Sequence, residues 1–133
     1  GLDGDIKEAV HYIQEKLFII QAEVAGADKS ITEEAVHAIE NTIAAIKKDL
    51  PEITSFSIPG ATETGAMFDY ARTLARKAER MVVRSLDEKE ITISVHTLAY
   101  LNRLSSGLFA FARKVNHEQH APEKAPTYKN TKT

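Results

Sequence analysis

Apolar residues recur along this chain at alternating intervals of three and four, in long stretches with few breakers. In the first stretch, about Asp5 to Ala25, Ile6, Val10, Ile13, Leu17, Ile20 and Val24 are spaced 4, 3, 4, 3 and 4. That rhythm lays an apolar seam along one side of an α-helix at the period of a helical bundle. Only six glycines and four prolines are present, and Gly26, Pro51, Pro59-Gly60 and Pro122 divide the chain. Gly26 is a helix stop, because glycine adopts the left-handed conformation that ends helices.

The second stretch opens on Ser30-Ile31-Thr32-Glu33, which reads as a capping box with Ser30 as the cap. Val36, Ile39, Ile43, Ile46 and Leu50 form its seam, Lys47 and Lys48 suit the negative end of the helix dipole, and Pro51 ends it. Residues 52–61 form a loop that carries Ile53, Phe56 and Ile58. Such an apolar loop must dock on something.

The third stretch runs from about Thr62 to Ser85. On a helical wheel, Met67, Tyr70, Ala71, Leu74, Ala75, Ala78, Met81 and Val82 share one arc. Arg72, Arg76, Lys77, Glu79, Arg80 and Arg84 lie opposite, with Val83 among them and Phe68 at their border. The fourth stretch, about Ile91 to Val115, has Leu101, Leu104, Leu108, Phe111 and Val115 as its seam, with Asn102 at the edge beside Phe109 and Arg103 pointing away. The β-branched run Ile91-Thr92-Ile93-Ser94-Val95 has no strand to pair with, so helix is expected there too. From Asn116 onward the pattern ends. The expected architecture is all-α, an up-down bundle over residues 1–115, followed by an extended or disordered tail over 116–133.

Chain length fits one domain: 133 residues suffice for a substantial core. Cysteine is absent, which excludes disulfides and thiol chemistry. A formal charge of -2, from 17 basic and 19 acidic residues, argues against a bulk nucleic-acid binder. The longest apolar run, Leu17 to Ile20, is far too short to span a membrane.

Two constellations carry chemistry. Glu8-x-x-His11 and Glu34-x-x-His37 have the spacing of di-iron carboxylate ligands. Each histidine follows a seam residue, however, and so sits about 100° off the core direction. A surface role is expected for both, and no metal site. The basic row of the third stretch is the other constellation. Arginines one turn apart converge on a polyanion and bond phosphate oxygens in pairs. A solvated face with local pairs such as Arg72–Asp69 and Arg76–Glu79 is the plain alternative.

Three ordered segments carry a resemblance. They are Phe56-Ser57-Ile58-Pro59-Gly60-Ala61-Thr62, then Ala71-Arg72-Thr73-Leu74-Ala75-Arg76-Lys77-Ala78-Glu79-Arg80, then Leu101-Asn102-Arg103-Leu104-Ser105-Ser106-Gly107-Leu108-Phe109. They are similar to the F-x-x-P-G-G-T, A-R-x-x-x-R-R-A-E-R and N-R-L-S-D-x-L-F motifs of the PduO-type ATP:cob(I)alamin adenosyltransferases. The resemblance implies a five-helix bundle, four of whose helices are seen here, assembled as a homotrimer in the cytoplasm with ATP between subunits. It implies transfer of the 5′-deoxyadenosyl group of Mg2+-bound ATP to the cobalt of reduced cobalamin. It also leaves room for a corrinoid reductase as partner, and it involves no nucleic acid or membrane. A homologue that binds corrinoid or nucleotide without catalysis is the first alternative, and a metal-binding helical bundle built on the Glu-x-x-His pairs is the second, less favoured one.

By the same resemblance, Arg76 and Lys77 hold triphosphate, Glu79 orders the site or the metal-bound nucleotide, and Arg80 belongs to the same nucleotide-binding run. Asn102 contacts the nucleotide and Arg72 pairs across the subunit interface. Phe56 binds cobalamin and displaces its lower ligand. Arg76 and Phe56 are the expected catalytic pair. Three departures stand out. The family's Thr-Lys-x-Gly-Asp-x-Gly phosphate motif and the helix after it are absent, which reads as a sequence lacking its upstream part. Lys77 replaces an arginine. Ser106 and Ala61 stand where the family has Asp and Gly.

Overall fold

The computed structural model describes residues 4–50 and 62–118. It holds four helices, α1 (Gly4–Val24), α2 (Glu33–Lys48), α3 (Glu63–Asp87) and α4 (Val95–Glu118), and no strand among the described residues.

Local chemistry fixes the helix ends. Gly26 takes φ 100°. Its N–H donates to the Glu23 carbonyl and the Ala27 N–H to that of Ala22, so the last carbonyls of α1 are satisfied. At α2 the cap is Thr32, not Ser30. The Thr32 hydroxyl accepts from the Ala35 N–H. The cap lies further along because Ile31 is needed in the core, where it is 2% exposed. Thr62 caps α3 by accepting from the Gly65 N–H. Residues 91–94 are not helical. Ser94 accepts from the Thr97 N–H and starts α4 there, which keeps the preceding β-branched residues out of the helix. At its other end α4 runs through Asn116 to Glu118, past the expected tail boundary, because Asn116 is buried against the start of α3.

Helix α4 is the axis of the fold. Tyr100, Leu101, Leu104, Ala110 and Phe111 are all buried and join Ile13 and Ile20 of α1 and Val36, Ile39 and Ile43 of α2 in one core. Each large aliphatic or aromatic side chain buried there contributes roughly 1.5–3 kcal/mol. Contacts set the directions. Helix α3 runs antiparallel to α4, with Thr62 against Asn116, Phe68 against Phe111 and Glu79 against Asn102. Helix α2 runs parallel to α4, with Ile31 against Thr97 and Glu40 against Arg103.

One buried polar cluster joins three elements. The Thr97 hydroxyl donates to Glu23 Oε1 and accepts from the Ile31 N–H, while the Ser94 N–H donates to Glu23 Oε2 at 2.7 Å. The end of α1 and the starts of α2 and α4 are thereby tied together, with the buried carboxylate satisfied on both oxygens. At the other end of the bundle α1 and α2 part. They leave a cleft of about 600 Å³ over α4, lined by Ile6, Tyr12, Ile39, Ile46, Tyr100 and Phe111 among others.

Helix α3 departs most from its wheel. Two parallel apolar rows, one residue out of register, run along it, and the second begins at Phe68, outside the expected arc. Phe68, Ala75 and Val82 pack against the core. Met67, Leu74 and Met81 stay 67%, 49% and 60% exposed, and Tyr70 beside them is 67% exposed. Phe68, read as a border residue of the basic face, therefore belongs to the core side, with its ring 5.5 Å from that of Phe111.

Candidate functional site

The antiparallel pairing of α3 and α4 assembles the site from two helix faces. Arg72 and Glu79 are seven residues apart on α3, and Asn102 and Phe109 are seven apart on α4, so each pair shares a face. The helices bring them together rung by rung. The Asn102 amide donates to Glu79 Oε2 at 3.0 Å. The Arg72 guanidinium lies over the Phe109 ring, 5.4 Å from its centroid.

Arg76 lies between these rungs, and Lys77 and Arg80 follow it. All three are exposed, and among the described residues none of their side chains makes a hydrogen bond or ion pair. The expected local pair of Arg76 with Glu79 does not form. Glu79 is engaged by Asn102 instead, and the Arg76 guanidinium has no ion-pair partner among the described residues. Arg76 and Arg80 are separated by roughly 6 Å along the helix axis. That spacing lets both reach one polyphosphate, whose oxygens accept charge-assisted bonds from guanidinium groups.

Arg84 and Val83 continue this face, both exposed. Ser106 is exposed on α4. Phe56 and Ala61 lie outside the described residues. Sequence reasoning missed two features: the Arg72–Phe109 stack and the second apolar row of α3. The first was signalled by the seven-residue spacing of Asn102 and Phe109, and the second by the adjacent seven-residue repeats at 67 and 68.

The two Glu-x-x-His pairs face outward. His11 Nε2 lies 3.6 Å from Glu15 and His37 Nε2 3.9 Å from Glu33, with the imidazoles 75% and 62% exposed. Neither histidine points into the bundle core. Among the described residues, no group of three or more His, Cys, Asp or Glu side chains is placed to hold a metal ion. No helix among them is long and apolar enough to cross a membrane.

Known proteins resemble this arrangement closely. A solved PduO-type ATP:corrinoid adenosyltransferase variant from Lactobacillus reuteri, complexed with cobalamin and ATP, superposes with a TM-score of 0.83 at 28% identity, over 96% of this chain and 72% of that one. A corrinoid adenosyltransferase of Bacillus subtilis is 38% identical over 116 residues, covering 84% of this chain and 59% of the relative. The corrinoid adenosyltransferase PduO of Citrobacter freundii is 34% identical over 121 residues, 86% of this chain and 36% of its own length. The chain thus spans less than two thirds of these curated relatives. The family model for cobalamin adenosyltransferase matches residues 2–115, taking in all three sequence motifs and all but the last three residues of α4. The paired helices, the basic row and this match lead to one conclusion: the chain belongs to the cobalamin adenosyltransferase family.

Proposed function

We propose that this protein transfers the 5′-deoxyadenosyl group of ATP to the cobalt of reduced cobalamin, with residues 1–115 as the adenosyltransferase domain. The observation that carries the reading is the row of Arg76, Lys77 and Arg80, without a hydrogen bond or ion pair among the described residues, beside the Glu79–Asn102 contact. In this reaction the cobalt(I) electron pair attacks C5′ of ATP. The C5′–O bond breaks, and triphosphate departs with its electrons. No protein nucleophile is required. What the protein must supply is alignment of the two reactants and stabilisation of the charge growing on triphosphate. Arg76 and Lys77 take that charge, and Arg80 extends the same cradle.

Asn102 fixes the Glu79 carboxylate through one oxygen, which suits Glu79 to order a Mg2+-bound nucleotide. Mg2+ would supply further charge neutralisation on the phosphates. Phe56, carried over from the sequence motif, serves the corrinoid. The second apolar row of α3 supports assembly as a homotrimer, because three large side chains in a seven-residue repeat are costly to leave in water. Arg72 then reaches across the subunit interface. The cytoplasm and a corrinoid reductase partner follow from the sequence resemblance.

The test is direct. Purified protein is supplied with Mg2+-ATP and chemically reduced cobalamin, and adenosylcobalamin and triphosphate are followed by absorbance and chromatography. Equimolar formation of both is expected. ATP binding without turnover would support a non-catalytic binding homologue instead, and absence of both binding and turnover would overturn the proposal.

A further inference from the structure

We infer that Phe109 is a positioning residue that holds Arg72 by its ring face and so keeps the guanidinium aimed at an incoming oxyanion. The inference rests on the proposed reaction only for the identity of that anion. Arg72 Cζ sits 5.4 Å above the centroid of the Phe109 ring, within the range of a cation–π interaction. Both side chains are half-buried on facing helices, and Thr62, capping α3, donates to Asn116 near the end of α4.

The choice of partner matters chemically. A carboxylate would also fix an arginine, but it would cancel the charge that an anion needs and occupy the N–H edge. An aromatic face does neither. The ring face accepts no conventional hydrogen bond, so the N–H donors of the guanidinium stay available. An arginine held in advance also loses less side-chain freedom when the anion arrives.

The geometry agrees with this division of labour. Glu79 and Asn102 make one rung across the helix pair, Arg72 and Phe109 make the other, and Arg76 lies between them. One rung fixes an acid and the other fixes a base, and neither uses Arg76. The oxyanion that Arg72 meets is either a phosphate of ATP or a carboxylate of a second copy of this chain.

The experiment compares Phe109→Leu, which keeps apolar bulk, with Phe109→Tyr, which keeps the ring. Three quantities are read in the intact protein: the ATP dissociation constant, the self-association constant, and the NMR signals of the Arg72 side chain. In the wild type and Phe109→Tyr, ring current should shift the Arg72 δ-protons upfield, and Phe109→Leu should abolish that shift. Phe109→Leu should weaken ATP binding if the anion is phosphate, or self-association if it is a carboxylate, by about two- to fivefold. In an Arg72→Ala background the same substitution should have no further effect on either constant. Unshifted Arg72 protons in the wild type overturn the inference, as does an effect of Phe109→Leu that persists without Arg72. Failure of the wild type to turn over would count against the proposed reaction alone, since none of these readouts needs turnover.

Discussion

The Asn102 amide donates to the Glu79 carboxylate across the α3–α4 pair at 3.0 Å. This contact decides what the basic row can do. It holds one oxygen of the Glu79 carboxylate against α4, while Arg76, one turn away, makes no direct pair with that acid. Asn102→Asp should therefore place two carboxylates face to face and reduce kcat/KM for ATP about tenfold or more, as loss of a hydrogen bond to a charged group does. Adding Glu79→Gln rebuilds the bond with donor and acceptor exchanged. Thermal melts should recover in that double variant while ATP use does not, because the negative charge has moved to the wrong helix.

Arg76→Ala should cost about 2 kcal/mol or more in transition-state stabilisation, roughly 30-fold in kcat/KM for ATP. Its melting temperature should stay close to the wild type, because the exposed side chain makes no ion pair or hydrogen bond among the described residues. Unchanged kinetics would remove Arg76 from the site.

Gly65→Ala tests the register of α3 on α4. A Cβ at Gly65 would lie 2.2 Å from Asn116 Oδ1 and 2.9 Å from Thr62 Oγ1. Backbone must shift or the Thr62–Asn116 bond must break, at a cost of about 1–3 kcal/mol by denaturant unfolding. Combining Gly65→Ala with Asn116→Ala removes the obstacle, and the double variant should lose clearly less than the sum of the two single losses. Additive losses would show that the obstruction lies elsewhere.

Tyr100 makes a pH prediction. Its side chain is fully buried, and its hydroxyl has no hydrogen-bond partner among the described residues. Burial, with Tyr12 nearby, pushes its pKa well above the ordinary value of 10.0. A raised folded-state pKa means that its contribution to stability is fully present below about pH 10 and is lost as pH rises beyond, where the unfolded chain ionises first. Stability should fall above pH 10, and Tyr100→Phe should flatten that fall. At neutral pH the same variant should be neutral or slightly stabilising, because it removes an unsatisfied buried hydroxyl. Denaturation curves at several pH values would check both parts.

Leu74→Glu tests the exposed row of α3. Leu74 is half exposed, so a charge there should leave the protomer folded. Sedimentation should show a trimeric wild type and a largely monomeric variant, since the charge would be buried between copies without a partner. An unchanged assembly would place the subunit contact elsewhere.

Much of the fold was legible because helices declare themselves locally. The 3–4 rhythm of Ile6 to Val24 and of Val36 to Ile46 marks α1 and α2, and Gly26 ends α1 as its residue type requires. Local chemistry was less sufficient where two signals competed. Ser30 and Thr32 are both able caps, and only the burial of Ile31 selects Thr32. At residues 91–95 the β-branched run precedes a serine that starts the helix later than the apolar pattern does. The residues of the basic row were visible by type, but not whether they were neutralised.

By itself the sequence determined where the helices lie and which side chains carry charge, because periodicity and capping act within a few residues. Only the tertiary structure decided which row of α3 is buried. The rows at 67, 74, 81 and at 68, 75, 82 have the same period and lie about 100° apart, so each satisfies the pattern equally. Docking on α4 chooses the second, through Phe68 on Phe111 and the close approach at Gly65. That rotation brings Arg72 over Phe109, sets Glu79 against Asn102 and leaves Arg76 exposed without a hydrogen bond or ion pair among the described residues.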